Sequence, residues 1–123
     1  MNEDFFARYF AALDGEEPLS AMEMVAEDAE FALLWAPDEE RKAAHFLGGL
    51  PELTKFTEAG DTDGWGHRIL ASARIGDVEL VLGETRTDNG EFIGTFVTAV
   101  ELDADGRMKR YLVGRSPGIR FDL

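Results

Sequence analysis

The chain has two histidines, His45 and His67. Imidazole is the side chain that ordinarily titrates nearest neutrality, so either histidine could act as a general base that takes a proton from a substrate. His45 follows a basic cluster, whereas His67 opens a strand-like run beside Trp65. A lone histidine is more often a polar residue that is satisfied within the fold, and this alternative applies to both. Their spacing matches no metal-binding motif, so we expect no metal site.

A tyrosine lies within the first apolar stripe of the chain. The stripe recurs at helical spacing and predicts one buried helix face, made of Phe5, Phe6, Tyr9, Phe10 and Leu13. A buried phenol needs a hydrogen-bond partner that phenylalanine or leucine would not need. Tyr9 could therefore donate to a ligand in a pocket, or it could bond a backbone carbonyl in the core.

The last two strand-like runs bring further polar groups together. Closing a hairpin at the turn sequence DADG puts Thr98 opposite Tyr111 and Phe96 opposite Val113, with all four side chains on one face. The two hydroxyls could bind a ligand or each other. Arg115 continues the same face, where its charge could hold a ligand carboxylate or form a surface ion pair.

The opposite face of this hairpin is also largely apolar. It carries Val97, Ala99 and Leu112, with Thr95, Met108 and Arg110 among them. A sheet face in water should alternate more cleanly between apolar and polar residues. We therefore expect a second copy of the chain to cover it.

Three large aromatic side chains fall near the segments that would close a pocket. Trp35 and Trp65 lie in or near predicted loops, and Phe56 shares one side of a predicted helix with Leu50 and Leu53. They could form an apolar wall for a flat ligand, and core packing explains them about as well.

The order of elements predicts an α+β fold. The predicted helices come first, at residues 2–14, 18–28 and 48–60. Four β-rich runs follow, at residues 67–75, 78–87, 91–102 and 107–115. Because tight turns join these runs, they must be antiparallel neighbours. We expect a curved antiparallel sheet with three helices packed in its concave face.

Two segments and two glycines complete this interpretation. Residues 29–36 read as a short strand, and residues 37–46 fit either a loop or a helical turn. Gly83 and Gly94 should lie near each other in adjacent strands, where glycine permits a bulge or a sharp bend. A bent sheet around helices would leave a concave space for a ligand.

Composition narrows the class of protein. The 123 residues suit one compact domain, 1–123. A formal net charge of −13 argues against nucleic-acid partners and anionic membrane surfaces. The chain has no cysteine, which excludes disulfides and thiolate chemistry. No apolar run is long enough for a membrane span and the acidic N-terminus is unlike a signal peptide, so we expect a cytoplasmic protein.

Three stretches together resemble the nuclear transport factor 2-like superfamily, in particular its SnoaL-like and ketosteroid isomerase-like branch. ARYFAALDGEEPLSAMEMVAEDAEF resembles its opening helices and first strand, GGLPELTKF its third helix, and FVTAVELDADGRMKRYLVGR its closing hairpin. The resemblance implies a cone-shaped α+β fold with a pocket between helices and sheet. It also implies a homodimer formed through the outer sheet face.

The resemblance allows the catalytic positions of ketosteroid isomerases to be compared with the residues of this chain, one by one. Tyr9 falls where a ketosteroid isomerase tyrosine donates to the developing enolate oxygen. The place of that family's carboxylate base holds Leu33, and the place of its second acid holds Thr98. The ketosteroid isomerase mechanism therefore lacks two of its parts in this chain. The acidic pocket residue of SnoaL-type cyclases, and the arginine and paired aspartates of the epoxide-hydrolase branch, have no match either.

Two functions follow from the resemblance. The first is binding a small hydrophobic molecule in the pocket and transforming it by isomerase, cyclase or dehydratase chemistry without a cofactor. Tyr9 would donate to an oxyanion, and His45 or His67 would move the proton. The alternative is a non-catalytic dimeric ligand carrier or protein-interaction module.

Overall fold

The computed structural model describes residues 4–35, 44–58 and 64–123, with the side chains of residues 35 and 44–47 outside the description. In chain order the elements are α1 (Phe5–Leu13), a 3₁₀ helix (Pro18–Met24), β1 (Val25–Trp35), β2 (Ala44–Gly49), α2 (Leu50–Glu58), β3 (Trp65–Ile75), β4 (Val78–Thr87), β5 (Phe92–Leu102) and β6 (Met108–Ser116). Three helices and one curved sheet confirm the predicted α+β fold. Within the described ranges, no helix has the length and apolar character needed to cross a membrane.

The N-terminus of α1 is anchored by a buried carboxylate from the sheet. Glu79 of β4 accepts the backbone N–H of Phe5 at 3.0 Å and that of Phe6 at 2.7 Å. These groups belong to the first turn of the helix, where N–H donors have no partner within the helix and negative charge is favourable. The predicted apolar stripe of α1 is buried along its whole length. The helix therefore delivers Tyr9 to the interior.

The second predicted helix is wrong in type and in length. Residues Pro18–Met24 form a 3₁₀ helix, and Val25 already begins β1. Val25 pairs with Met108 of β6, and the neighbouring Ala26 is buried. Strand pairing and burial thus override the helix propensity of this alanine- and glutamate-rich segment. As a result β1 starts earlier than the strand predicted at 29–36.

The structure adds a strand that the sequence did not predict. Strand β2 pairs antiparallel with β1 and includes residues 44–46, which we expected in a loop or a helical turn. It also takes Gly48 and Gly49, so α2 begins at Leu50 rather than at residue 48. Residues 37–43 of the ambiguous segment, like residues 59 and 60 of the third predicted helix, lie outside the described residues.

The predicted four-stranded meander is confirmed as one side of a larger sheet. The sheet has six strands in the order β2-β1-β6-β5-β4-β3. All neighbours are antiparallel except β1 and β6, which pair in parallel, so the sheet is mixed rather than wholly antiparallel. α1 contacts β3 and β4, and α2 contacts β1 and β2.

The register of the last hairpin differs from the prediction by two residues. Thr98 pairs with Val113 rather than Tyr111, and Phe96 pairs with Arg115. Because side chains alternate with a period of two along a strand, this shift keeps them on their predicted faces. Phe96, Thr98, Tyr111 and Val113 are accordingly all buried.

Two irregularities in the hairpin cause the shift. Asp103 and Arg107 close the turn, which contains Gly106 at φ +78°. A bulge follows, since Leu102 pairs with Met108 while the pairing of the next residues is offset. We expected Met108 on the outer face of the sheet, and this was wrong. Met108 lies on the turn side of the bulge, and its side chain is fully buried.

Gly83 and Gly94 lie in neighbouring strands, as predicted, and each leaves room for an inward side chain. Gly83 pairs with Phe96, and a Cβ atom at position 83 would lie 2.4 Å from the Cζ of that ring. A Cβ atom at position 94 would lie 3.5 Å from Nε of Arg115. The two glycines therefore admit side chains that line the space under the helices.

Candidate functional site

A cavity lies between α1, α2 and the inner face of the sheet. It holds about 70 Å³ of space that water can reach. Its lining consists of Tyr9, Phe10, Leu13, Leu33, Leu53, Phe56, Thr57, Trp65, His67, Thr85, Phe96, Tyr111, Val113 and Arg115. Within the described part of the chain this lining has no acidic side chain. An apolar wall with a few polar groups is typical of small-molecule sites.

The size of the cavity limits what enters without rearrangement. An apolar cavity of ~150 Å³ is known to admit benzene, and the space here is about 70 Å³. A ring-sized ligand therefore requires lining side chains to move. Phe56 and Trp65 are only partly buried, unlike the core aromatics Tyr9, Phe10, Phe96 and Tyr111 of the lining.

An aspartate holds the histidine of the cavity by two contacts. Oδ1 of Asp14, at the end of α1, lies 2.8 Å from Nδ1 of His67, and Oδ2 accepts the backbone N–H of His67 at 2.8 Å. An ionised carboxylate only accepts hydrogen bonds, so this pairing places the ring proton on Nδ1. Nε2 is then the ring nitrogen that can accept a proton. The His67 side chain is only 12% exposed.

The surroundings of His67 fix the plane of its ring. The ring stacks on Phe10 with 4.3 Å between centroids and 5° between planes, and it meets Phe96 edge to face at 5.6 Å. Gly66 lets the aspartate approach, because a Cβ atom there would lie 3.3 Å from Oδ2 of Asp14. α1 supplies both the carboxylate and the stacking ring, so the helix positions the imidazole.

Two tyrosines line the cavity from α1 and β6. The rings of Tyr9 and Tyr111 lie 5.8 Å apart at 67°. Burial raises the pKa of Tyr9 well above its ordinary value, and proximity of Tyr111 raises it further. Burial also raises the pKa of Tyr111, against a smaller lowering by its hydrogen bond with the Thr98 hydroxyl, so these two side chains interact with each other. Both phenols are therefore protonated at neutral pH and can donate hydrogen bonds.

Thr98, which we expected on the cavity wall, lies behind it. Its hydroxyl donates to the backbone carbonyl of Leu112 at 2.8 Å, and its side chain is 1% exposed. The hairpin shift moves its cross-strand partner from Tyr111 to Val113. The wall instead contains Thr85, whose hydroxyl donates weakly, at 3.4 Å, to the carbonyl of Gly94.

Arg115 brings a charge to this wall. Its guanidinium carbon lies 4.9 Å from the centroid of the Trp65 indole, a cation–π distance. Burial lowers the pKa of Arg115, yet a guanidinium stays protonated in proteins. Arg115 is therefore a permanent cation in a largely apolar lining.

Of the remaining residues predicted for the site, four have side chains that the structure describes and two do not. Phe56, Trp65, Phe96 and Val113 lie on the lining, as expected of an apolar wall. The backbones of residues 35 and 45 belong to β1 and β2, but the side chains of Trp35 and His45 lie outside the described residues.

Sequence reasoning missed the aspartate that pairs with His67. Asp14 and His67 are 53 residues apart, and only the packing of α1 against the start of β3 brings them together. The local sequence offers one signal, a glycine directly before the histidine, which leaves space for a close neighbour.

The carboxylates of the ketosteroid isomerase mechanism are absent from the described lining. Leu33, at the expected place of the base, lines the cavity and is 3% exposed. Nor do the described residues contain a group of three or more histidine, cysteine, aspartate or glutamate side chains that could hold a metal ion. The pair formed by Asp14 and His67 is thus the candidate for acid–base chemistry at this cavity.

Comparison with solved structures confirms the fold inferred from the sequence. A proposed isomerase of the SnoaL-like family from Agrobacterium tumefaciens superposes with a TM-score of 0.71 at 15% identity, covering 90% of this chain and 93% of that one. A proposed polyketide cyclase from Sinorhizobium meliloti gives 0.66 at 22% identity, covering 91% and 94%. An NTF2-like protein of unknown function from Cytophaga hutchinsonii gives 0.66 at 15% identity, covering 93% and 88%.

No family model matches the sequence, and no curated protein matches it. The identities to the solved structures are low, so the likeness establishes the nuclear transport factor 2-like fold and leaves the chemistry to the side chains of this chain.

Proposed function

We propose that this protein binds a small hydrophobic molecule in the cavity and moves a proton on it, in a reaction of the isomerase, cyclase or dehydratase kind. His67 is the general base, and Asp14 is its positioning residue. Tyr9 and Tyr111 donate hydrogen bonds to the oxygen on which negative charge develops. The observation that carries the proposal is the pair of 2.8 Å contacts from Asp14 to His67 in the cavity wall.

The geometry supports this assignment of roles. Asp14 holds the proton on Nδ1 and stabilises the imidazolium that forms when Nε2 accepts a proton. The stacked Phe10 ring keeps the imidazole in one orientation. Neutral phenols stabilise an enolate or phenolate without adding a second negative charge, and their low-dielectric surroundings strengthen the hydrogen bonds that they donate.

A Kemp elimination tests the proposal without knowledge of the substrate. In 5-nitrobenzisoxazole, a base removes the ring C–H proton, the N–O bond breaks, and a nitrile and a phenolate form. We expect His67→Gln to lower the rate of the protein-catalysed reaction at least about tenfold, since general-base catalysis contributes about 10²–10⁴-fold. Asp14→Asn should lower the rate less, because the imidazole remains.

Asp105→Asn is the matched control, because Asp105 lies exposed in the β5–β6 turn. Its rate should equal that of the unaltered protein. Equal rates for the unaltered protein and His67→Gln would contradict the proposal. A rate that is lost on His45→Gln and kept on His67→Gln would assign the base to the other histidine, which also contradicts it.

The small size of the cavity favours a second candidate, a non-catalytic carrier or protein-interaction module. A role that depends only on the outer surface needs no ligand space, and the space in this cavity is only about 70 Å³. That candidate predicts no His67-dependent rate with any probe. The Kemp experiment therefore separates the two.

A further inference from the structure

We infer that Thr85 is a ligand-binding residue of the cavity, and that together with His67 it binds a hydroxyl group of the ligand. The inference rests on the proposed function, because it takes the ligand of that same cavity and the same histidine. It names the chemical class of that ligand, a small hydrophobic alcohol or phenol.

The first step is the position of Thr85 beside the histidine. Thr85 on β4 is paired with His67 on β3, and the side chains of such an antiparallel pair lie on the same face with their Cβ atoms about 4.5–5.5 Å apart. Both residues line the cavity, and Thr85 is 1% exposed. A single ligand oxygen can therefore contact the threonine hydroxyl and the imidazole at the same time.

The second step is the hydrogen bonding of the Thr85 hydroxyl within the protein, which is weak. Its Oγ1 atom lies 3.4 Å from the carbonyl oxygen of Gly94, whereas an O–H donor ordinarily lies about 2.5–3.0 Å from its acceptor. Thr57, the other threonine of the described lining, donates to the carbonyl of Leu53 at 3.0 Å. The Thr85 hydroxyl can therefore turn toward a ligand at small cost, and its oxygen can accept a hydrogen bond even without turning.

The third step is the ligand group that matches this pair of side chains. Asp14 holds the ring proton of His67 on Nδ1, so Nε2 accepts hydrogen bonds. A ligand hydroxyl can donate to Nε2 and accept from Thr85 at once. A carbonyl or ether oxygen only accepts, so it would place its lone pairs against the lone pair of Nε2. The pair therefore selects a hydroxyl over these groups.

The fourth step is the apolar surroundings of the pair. The Phe10 ring stacks on the imidazole at 4.3 Å, and Phe96 meets it edge to face at 5.6 Å. In such surroundings a hydrogen bond is stronger than in water, and a buried polar group without a partner is costly. The pair should therefore discriminate a hydroxyl from a methyl group of similar size, while the rings contact the apolar part of the ligand.

A matched pair of probes tests the inference. 4-Fluorophenol and 4-fluorotoluene have nearly the same shape and differ in a hydroxyl or a methyl group, and ¹⁹F NMR titration of the full chain measures both affinities. Because the shapes match, any cost of enlarging the cavity cancels in the ratio of the two affinities. We expect this ratio to fall at least about fivefold in favour of 4-fluorotoluene in Thr85→Val, the scale of one lost hydrogen bond.

Two further variants separate hydroxyl binding from a structural effect. Thr85→Ser restores the hydroxyl and should restore the ratio. Thr95→Val is the matched control, because Thr95 is a buried threonine outside the cavity lining whose hydroxyl donates to the carbonyl of Ile119. It should leave the ratio unchanged. A ratio that Thr85→Val leaves unchanged, or that Thr95→Val lowers equally, would overturn the inference, as would a lack of 4-fluorophenol binding to the unaltered protein.

The unaltered protein offers a second measurement, which keeps the inference testable if Thr85→Val does not fold. The ring protons next to the hydroxyl of bound 4-fluorophenol should show nuclear Overhauser contacts with the methyl group of Thr85. Bound 4-fluorophenol without these contacts would overturn the inference.

Failure of this inference is distinguishable from failure of the proposed function. The Kemp elimination measures proton removal by His67, whereas the affinity ratio measures hydroxyl binding at Thr85. If the ratio falls in Thr85→Val and no His67-dependent elimination occurs, the hydroxyl site stands and the proton-transfer proposal fails. If elimination depends on His67 and Thr85→Val leaves the ratio unchanged, the proposed function stands and the hydroxyl site fails.

Discussion

At the scale of single residues, the candidate site combines two neutral tyrosine hydroxyls, which can donate hydrogen bonds, with a histidine that Asp14 holds in position. Tyr9 and Tyr111 are the two tyrosines of the chain, and both are buried at the cavity. The apolar stripe placed Tyr9 in the interior correctly, because a helical repeat fixes which face is buried. No repeat could show that Asp14 meets His67, since that contact depends on how a helix end docks against a distant strand.

The tyrosines give a pH prediction. Burial raises the pKa of both phenols above the ordinary 10.0, so the folded protein keeps protons that the unfolded chain releases. The stability contribution is full below pH 10 and is lost as the pH rises above it. We expect ultraviolet titration to show almost no tyrosinate at pH 10 in the native protein and about half ionisation in urea. If half of the tyrosine is ionised at pH 10 while the circular dichroism spectrum is still that of the folded protein, the two phenols are not both buried.

At the scale of elements, α1 is the part that assembles the site. It supplies Tyr9, the ring that stacks on His67, and Asp14 at its C-terminal end. Sequence pattern predicted this helix and the meander, because their periodicities and turn signals are strong. It missed β2, a short strand whose last residues are glycines, and it extended the second helix into β1 because pairing with β6 is not visible locally.

The anchoring of α1 by Glu79 gives a stability prediction. Glu79→Gln keeps one acceptor oxygen but turns an amide NH₂ toward a backbone N–H, in a site that is 1% exposed. We expect the free energy of unfolding to fall by about 2 kcal/mol, the scale of a lost helix cap with an unsatisfied buried group. Urea denaturation measures this. Exposed Glu91→Gln is the control and should change stability little; an equal loss in both variants would contradict the anchoring role.

At the scale of the whole molecule, the outer sheet face remains apolar. Val97 is 56% exposed and Leu112 57%, as the sequence predicted for a face that a second copy would cover. The homodimer stays a prediction, supported by this exposure. The cavity and the outer face lie on opposite sides of one sheet, so each can be altered without touching the other.

Charged substitutions test the dimer. The Val97→Glu, Leu112→Glu double variant should be monomeric in sedimentation velocity, whereas the unaltered protein should sediment at twice the 13.6 kDa chain mass. Leu19→Glu is the control, because Leu19 is an exposed leucine of the 3₁₀ helix rather than of the sheet. A monomeric unaltered protein, or a dimer that survives the double variant, would contradict an interface on this face.

The tautomer of His67 tests the central claim most directly. Long-range ¹H–¹⁵N NMR of the imidazoles distinguishes a proton on Nδ1 from one on Nε2, and His45→Gln leaves a single histidine, which assigns the signal. We expect neutral His67 to carry its proton on Nδ1, and Asp14→Asn to shift that proton toward Nε2 because an amide can donate to Nδ1. If His67 carries its proton on Nε2 in the unaltered protein, or if Asp14→Asn leaves the tautomer unchanged, then Asp14 does not position His67 as a base for the cavity.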